Sequence, residues 1–187
     1  MNIVIFGPPG AGKGTQASFI VNEYNLFQVS TGELLRQEIK KNTEIGKKII
    51  TNMNDGKFVE DEIVNKILEK IIFDSEKKNK LIFDGYPRTI NQAKNLETLL
   101  NKSNQKIDFI FFLNVNKDEI IKRIEKRKIL EKRSDDDANT ILKRYDAYMG
   151  ITKPVLDYYS KNPNFHEVDG SMKIGEISSK IKEILTV

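Results

Sequence analysis

A glycine-rich segment near the amino end constrains the fold of this chain more than any other part of its sequence. Residues 7–15 read Gly-Pro-Pro-Gly-Ala-Gly-Lys-Gly-Thr, and they follow a short apolar segment, residues 2–6, that is typical of a buried strand. Residues 13–24 then have helical character. In a strand, glycine loop and helix of this kind, successive backbone N–H groups bind phosphate oxygens, and the helix amino end adds partial positive charge. The segment therefore predicts a phosphate-binding loop in which Lys13 reaches the terminal phosphates.

The loop departs from the strict pattern of phosphate-binding loops at one position. That pattern has Ser or Thr directly after the lysine, whereas this chain has Gly14 there and Thr15 one position later. The preceding strand, the four glycines and the lysine still make a chance glycine-rich turn a poor explanation. The form Gly-Lys-Gly-Thr-Gln resembles the loop of nucleoside-monophosphate kinases.

Strand and helix patterns alternate along the rest of the chain. Short apolar segments predict four more strands, at residues 27–30, 80–84, 108–115 and 165–168. Helical periodicity predicts helices that begin near residues 32, 61, 92, 117 and 174, and another across residues 141–159 that Pro154 kinks or restarts. Ser30 and Glu33 have the spacing of a capping box at the start of the helix near Gly32. Because alternating strands and helices form parallel sheets through right-handed crossovers, we expect an α/β three-layer fold with about five strands flanked by helices.

Composition excludes several classes of protein and of site. The 187 residues are enough for one substantial core, so we expect one domain. The apolar runs are much shorter than the ~20 residues of a membrane span, and the amino end lacks the pattern of a secretory signal peptide. With no cysteine, the chain can form neither a disulfide nor a thiolate metal site. The excess of 31 basic over 27 acidic residues is small, and we interpret it as a solvated surface rather than a nucleic-acid-binding face.

The choice of basic residues is more informative than the net charge. Of the 31 basic residues, 25 are Lys and only six are Arg. The planar guanidinium fork of Arg binds phosphate oxygens in pairs, which Lys cannot do. The six arginines are therefore candidate phosphate ligands: Arg36, Arg88, Arg123, Arg127, Arg133 and Arg144.

Four segments together resemble adenylate kinases, and the resemblance runs over nearly the whole chain. They are residues 7–16, residues 30–36 (Ser-Thr-Gly-Glu-Leu-Leu-Arg), residues 83–89 (Phe-Asp-Gly-Tyr-Pro-Arg-Thr) and residues 133–136 (Arg-Ser-Asp-Asp). The resemblance implies a P-loop fold with small monophosphate-binding and lid insertions, and reversible Mg²⁺-dependent transfer of a phosphoryl group from ATP to AMP. Only residues 128–132 separate Arg127 from Arg133, so the lid is of the short type, without zinc. Short lids are often glycine-rich, and this one is not.

The resemblance also implies roles for individual residues. It assigns ATP binding to Gly10, Ala11, Gly12, Lys13, Gly14, Thr15, Arg127 and Met172. It assigns AMP binding to Thr31, Arg36, Lys57, Phe58, Val59, Gly85, Tyr86, Pro87, Arg88, Gln92, Arg133 and Arg144. It assigns catalysis to Lys13, Asp84, Arg88, Arg123, Arg133 and Arg144. Asp84 is expected to orient Mg²⁺-bound water, with no direct protein ligand to the metal, and the Tyr86–Pro87 bond resembles one that is cis in relatives.

The resemblance further implies how the chain is divided and what it meets. We expect a single P-loop kinase domain over residues 1–187, with a core of residues 1–29, 60–125 and 137–187. A monophosphate-binding segment (residues 30–59) and a lid (residues 126–136) are expected to close on AMP and ATP. The expected partners are ATP, AMP and ADP, without nucleic acid or membrane, for a cytoplasmic monomer.

Two other functions stay open at this point. A UMP/CMP kinase is the nearer one, although Thr31 and Gln92 favour adenine, because pyrimidine-specific relatives usually have a small residue and asparagines at the corresponding places. A regulatory NTP-binding switch is more distant, since it would have no use for a second phosphate site at Arg36 and Arg88. The single histidine, His166, lies in the last predicted strand and is not a plausible general base.

Overall fold

The computed structural model describes residues 1–55, 57–131 and 138–186, with side chains throughout these ranges except at residues 125–131 and 138–141. Within them, five strands form one parallel sheet in the order β2-β3-β1-β4-β5. The strands are β1 (Ile3–Phe6), β2 (Phe27–Ser30), β3 (Leu81–Asp84), β4 (Phe109–Asn114) and β5 (Phe165–Asp169). The predicted α/β fold with five parallel strands is confirmed.

Helices cover both faces of the sheet. They are α1 (Lys13–Tyr24), α2 (Thr31–Lys40), α3 (Glu44–Asn54), α4 (Asp61–Ile72), α5 (Ile90–Lys102), α6 (Lys117–Glu131), α7 (Ala138–Ala147), α8 (Lys153–Tyr159) and α9 (Ile174–Leu185). A π-helical turn, Tyr148–Thr152, joins α7 to α8, and Pro154 lies in the first turn of α8, as its position in the sequence predicted. In the described ranges, no helix combines the length and the apolar character needed to cross a bilayer.

The sheet separates two apolar cores. Successive side chains of a strand point to opposite faces, and all four residues of β1 are buried. Ile3 and Ile5 pack into a cluster with α1, α6 and α9, whereas Val4 and Phe6 pack into a cluster with α2 to α5 and α8. Strands that are buried on both faces read as continuous apolar runs, which is why the sequence predicted them readily.

The strand register brings three loops together at the carboxyl edge of the sheet. Asp84, at the end of β3, pairs with Ile5 of β1 and with Ser30 of β2. The loops that follow these three strands therefore leave the sheet side by side. Strands β2 and β3 lie on one side of β1, whereas β4 and β5 lie on the other. Where the strand order reverses in this way, a ligand-binding crevice opens at the carboxyl ends of the strands.

Two features of the segment after β2 differ from the sequence prediction. The capping-box prediction is wrong, because Ser30 precedes α2 without a side-chain capping bond, and the Glu33 carboxylate instead pairs with Arg36 at 3.2 Å. Helix α3 was not predicted. It begins at a Thr43 cap, whose hydroxyl accepts a hydrogen bond from the Gly46 N–H at 3.0 Å.

Candidate active site

A cleft of about 1380 Å³ lies at the carboxyl edge of the sheet. It is larger than the ~300–1,000 Å³ typical of a site for one small molecule. The glycine loop after β1 forms one wall, and α2 with residues 57–59 and the loop after β3 form another. Residues of α6, the π-helical turn and the segment before α9 complete the lining.

The glycine loop has the backbone geometry that its sequence predicts. Gly10 and Gly12 have φ values of +81° and +93°, a left-handed conformation that L side chains rarely adopt. A Cβ at Gly10 would also lie 2.9 Å from the Ile124 side chain. Helix α1 begins directly after Gly12 without a side-chain cap, so its first N–H groups are available to an anion.

Two cations lie against this loop. The Lys13 ammonium donates hydrogen bonds to the carbonyls of Gly7 and Pro8, at 3.0 and 2.9 Å. Arg123, on α6, donates to the Glu119 carboxylate at 2.8 Å and reaches the Ala11 carbonyl at 3.5 Å. Both charges are therefore placed where the loop would hold phosphates.

Arg88 is fixed on the opposite wall of the cleft. Its Nε donates to the Gly85 carbonyl at 2.7 Å, and its guanidinium lies 5.3 Å from the centre of the Phe58 ring. The same carbonyl accepts a hydrogen bond from the Thr31 hydroxyl at 3.0 Å. Gly85 has a φ of +73°, and the Tyr86–Pro87 peptide bond is cis, which agrees with the sequence expectation.

Three arginines converge in the cleft. Burial, together with the charges of Arg144 and Arg36, lowers the pKa of Arg88 to about 10, and Asp84 opposes this effect. The Arg88 side chain keeps part of its area exposed to the cleft, although its guanidinium is surrounded by protein on most sides. Like charges held this close disfavour one another. The arrangement is therefore suited to binding an anion.

Three predicted AMP-binding residues lie behind the lining rather than in it. Gln92 is 3% exposed, accepts a hydrogen bond from the Arg88 N–H at 2.7 Å and donates to Asp61. The buried Tyr86 hydroxyl donates to the Gln92 carbonyl at 3.1 Å, and burial raises the pKa of Tyr86 to about 12. Thr31, 4% exposed, is held by Gly85. These side chains touch the wall that carries Arg88.

The other predicted residues are distributed along the cleft. The cleft wall that carries Arg88 is also lined by Lys57, Phe58, Val59 and Pro87. Lys57 pairs there with Asp55 at 3.1 Å. Met172 lines the cleft beside Ile174, whose carbonyl accepts a hydrogen bond from the Gln16 amide of α1 at 3.1 Å.

Some predictions lie outside the described residues or outside the cleft. Arg133 and the lid segment beyond Glu131 are outside the described residues, as is the side chain of Arg127. His166 lies in β5, where its ring packs against Phe109 and Phe111.

Asp84, the acidic residue that sequence reasoning selected for the site, lies beside the glycine loop. It is 9% exposed, and its Oδ2 lies 3.7 Å from the position that a Cβ on Gly14 would occupy. Among the described residues, no group of three or more His, Cys, Asp or Glu side chains could enclose a metal ion. A single carboxylate beside a phosphate-binding loop fits a hydrated Mg²⁺ that is carried by the nucleotide, since Mg²⁺ usually keeps several waters in such sites.

Sequence reasoning missed some residues that line the cleft. Gln28 of β2 donates a hydrogen bond from its side-chain amide to Asp84 Oδ2 at 3.1 Å. Tyr148 and Thr152, both buried, reach the cleft from the π-helical turn. Strand alternation could have identified Gln28, because it lies two residues before Ser30 and on the same face. The position of the π-helical turn leaves no comparable pattern in the sequence.

Comparison with known proteins agrees with the geometry of the cleft. The family model for adenylate kinase matches residues 5–164. An adenylate kinase from Pelagibacter ubique is 48% identical over the full length of both chains, and one from Mycoplasma capricolum is 39% identical, also over the full length of both. An adenylate kinase from Porphyromonas gingivalis is 40% identical over 99% of this chain and 95% of its own length.

Proposed function

Because this chain belongs to the adenylate kinase family, we propose that its cleft holds ATP and AMP together with their phosphates facing each other. The reaction is reversible phosphoryl transfer from ATP to AMP, which yields two ADP. One observation carries the two-nucleotide arrangement: Arg36, Arg88 and Arg144 converge in the same cleft as Lys13 and its loop. A protein that bound one nucleotide would have no use for this second cationic site.

On the donor side, the glycine loop holds the ATP phosphates. The backbone N–H groups of residues 10–15 bind phosphate oxygens, and Lys13 exchanges its two loop carbonyls for the terminal phosphates. Arg123 joins them from α6, where Glu119 holds its guanidinium. We assign Arg127 to the same group, and Met172 to the adenine end of the cleft.

On the acceptor side, Arg36 and Arg88 bind the AMP phosphate. Arg88 is held in place by Gly85, Phe58 and the Gln92 amide before any ligand enters. Such preorganisation avoids the cost of immobilising a flexible side chain on binding. The contacts of Thr31 and Gln92 with this wall support their assignment to the AMP pocket, together with Lys57 and Val59.

The chemical step needs little covalent help from the protein. An AMP phosphate oxygen forms a bond to the γ-phosphorus of ATP, and the bond from that phosphorus to the bridging oxygen breaks, so that ADP leaves with the electron pair. The AMP phosphate is largely ionised near pH 7, with its second pKa near 6, so no histidine base is required. Lys13, Arg88, Arg123, Arg133 and Arg144 share the charge that spreads over the transferring group.

Mg²⁺ carried by ATP supplies further charge neutralisation when it is bound. Asp84, at the end of β3 and beside Gly14, is the residue that would hold its water shell. The metal would have no direct protein ligand, and zinc would have no role.

The domain division follows from the same proposal. Residues 30–59 and 126–136 close over AMP and ATP on a core of residues 1–29, 60–125 and 137–187. Closure excludes water, which would otherwise divert the phosphoryl group to hydrolysis. We place the protein in the cytoplasm as a monomer, because the lack of cysteine suits a reducing compartment and each chain carries both nucleotide walls.

Acceptor specificity tests this function. With ATP as donor, initial rates should give a kcat/KM for AMP at least ~100-fold above those for CMP and UMP. A value for either pyrimidine nucleotide within tenfold of AMP would instead support the UMP/CMP kinase alternative.

Calorimetry without ATP tests the second site directly. The protein should bind AMP, the Arg36→Met variant should bind it at least ~10-fold more weakly because a charge-assisted contact is lost, and Lys40→Met should behave as wild type. Lys40 is the matched control, since it is an exposed cation on the same helix. Failure of the wild-type protein to bind AMP alone would favour a one-nucleotide switch.

A further inference from the structure

Gln28 and Asp84 form a side-chain pair at the carboxyl edge of the sheet. In the parallel register of β2 and β3, Gln28 pairs with Ile82 and Ser30 pairs with Asp84. Residues two apart on a strand share a face, so Gln28 and Asp84 lie on the same side of the sheet, the side that carries α1. The Gln28 amide then spans the gap and donates to Asp84 Oδ2 at 3.1 Å.

The contact with Gln28 fixes one oxygen of the Asp84 carboxylate. The Gln28 amide is a hydrogen-bond donor to Asp84, and Arg88 lies close enough for its charge to interact with that of the carboxylate. Asp84 is mostly buried, with 9% of its surface exposed. A buried carboxylate without a fixed partner would have to choose among several rotamers.

The chemical nature of the partner matters as much as its position. A neutral amide fixes one carboxylate oxygen and leaves the negative charge of the group intact. A cationic partner would fix it equally well but would offset the charge that attracts a hydrated metal ion. Residues that orient the groups around a metal commonly change metal affinity or activity by 10–100-fold when they are replaced.

We propose that Gln28 is a positioning residue that holds the Asp84 carboxylate in the orientation needed to accept hydrogen bonds from the water shell of the Mg²⁺ that accompanies ATP. This inference rests on the proposed function, because it requires Mg²⁺ to enter the cleft with the nucleotide. In this proposal Gln28 itself would contact neither the metal nor the phosphates. Its effect passes through Asp84.

The test measures how strongly Mg²⁺ promotes ATP binding. The dissociation constant of ATP is determined by calorimetry in excess EDTA and in excess Mg²⁺. The EDTA value divided by the Mg²⁺ value gives the ratio by which Mg²⁺ strengthens ATP binding. Gln28→Leu should lower this ratio about fivefold to tenfold, at or below the low end of the range for such partners, because Asp84 would act on the metal only through water. It should leave the EDTA value within about twofold of wild type, since the glycine loop and Lys13 are untouched.

Gln28→Asn gives a second test with a polar side chain. It keeps an amide but is shorter by one methylene, so it should lower the ratio as Gln28→Leu does. Gln28 is exposed at the cleft, and both variants should keep the wild-type melting temperature to within a few degrees.

A double-mutant cycle separates positioning from a general structural effect. Asp84→Asn should lower the ratio on its own, and adding Gln28→Leu to it should cause no further loss, because the group through which Gln28 acts is already neutral. An unchanged ratio in Gln28→Leu, or an equal loss in the Asp84→Asn background, would overturn the proposal. A ratio of one in the wild-type protein would overturn the Mg²⁺ premise instead, and with it this inference, while leaving the acceptor assay of the proposed function unaffected.

Discussion

Replacement of Arg88 by methionine should abolish most activity without destabilising the nucleotide-free protein. Methionine matches the apolar stem of the side chain and removes the charged guanidinium group. Most substitutions of partly buried residues destabilise a protein by about 1 kcal/mol. Arg88 should be an exception because its charge is held in an unfavourable place.

The size of this effect follows from the lowered pKa. The pKa of Arg88 falls to about 10 in the folded protein through burial and the charges of Arg144 and Arg36, against an ordinary value above 12. Because the folded-state pKa is the lower one, the protonated guanidinium disfavours the fold at all pH values below about 10, and this penalty is relieved only as the pH rises through 10. A pKa lowered by roughly two corresponds to ~3 kcal/mol. Solvent in the open cleft screens the charge, so we retain about half of that, ~1.5 kcal/mol.

The contacts that Arg88 loses offset part of this gain. Its hydrogen bond to the Gly85 carbonyl contributes ~1 kcal/mol, but the carbonyl keeps the Thr31 hydroxyl as a donor and is not left unpaired. The stacking of Arg88 on Phe58 is replaced by a thioether–aromatic contact of similar size, about 1 kcal/mol. Arg88→Met should therefore unfold with a free energy between the wild-type value and about 1.5 kcal/mol above it.

Urea unfolding of the nucleotide-free protein at pH 7.5 measures this free energy of unfolding. A coupled enzyme assay of ADP production from ATP and AMP measures kcat. The loss of a phosphate-binding charge should lower kcat at least ~100-fold, and saturating AMP should stabilise the wild-type protein but not the variant. Lys94→Met, at an exposed lysine of α5, is the control and should change the unfolding free energy by less than ~0.5 kcal/mol. A loss of more than about 1 kcal/mol in Arg88→Met would refute the electrostatic reasoning.

Two further predictions concern the packing of α3 against α2 and the contact between Phe58 and Arg88. Gly46→Ala would place a Cβ 2.2 Å from the Glu38 carbonyl where α3 crosses α2, so thermal unfolding should show a loss of at least ~2 kcal/mol. Gly175→Ala, in an open part of α9, should instead gain ~0.5 kcal/mol, and equal behaviour of the two variants would contradict the packing argument. Phe58→Leu keeps an apolar side chain but removes the ring beneath Arg88, so steady-state kinetics should show a KM for AMP raised about threefold with the KM for ATP unchanged. A change confined to ATP would count against that role.

The sequence predicted the fold well where burial fixes the pattern. Strands β1, β3 and β4 are almost entirely apolar and buried, and α1, α4 and α9 begin at the predicted residues. Helix α3 was missed although Ile45, Ile49 and Met53 repeat every four residues, because Gly46 and several polar residues interrupt the run. The capping box failed for a local reason, since the Glu33 carboxylate pairs with Arg36 three residues later on the same helix.

The candidate site was predictable in its members but not in its geometry. Motifs named Lys13, Asp84 and the arginines, because each lies in or near a local pattern. Strand alternation places Gln28 on the same face as Ser30, but no local pattern states that Gln28 reaches Asp84 on the neighbouring strand or that Gln92 is held by Asp61. Those contacts depend on the order and register of β1, β2 and β3, which the sequence does not encode in any short segment.

The same register explains why the protein can hold three guanidinium groups close together at all. Arg88 follows β3, Arg36 lies on α2 after β2, and Arg144 approaches from α7 beyond the lid, so each is supported by a separate element. The rigid edge of the sheet holds these elements in place against the repulsion between their positive charges. This repulsion contributes to the lowered pKa of Arg88. An AMP phosphate carries a charge of about −2 near pH 7, and in the proposed complex it would attract all three arginines toward one shared anion. Binding of a phosphate at that position would therefore lower the electrostatic free energy of the cleft, which a ligand without a phosphate there would not do.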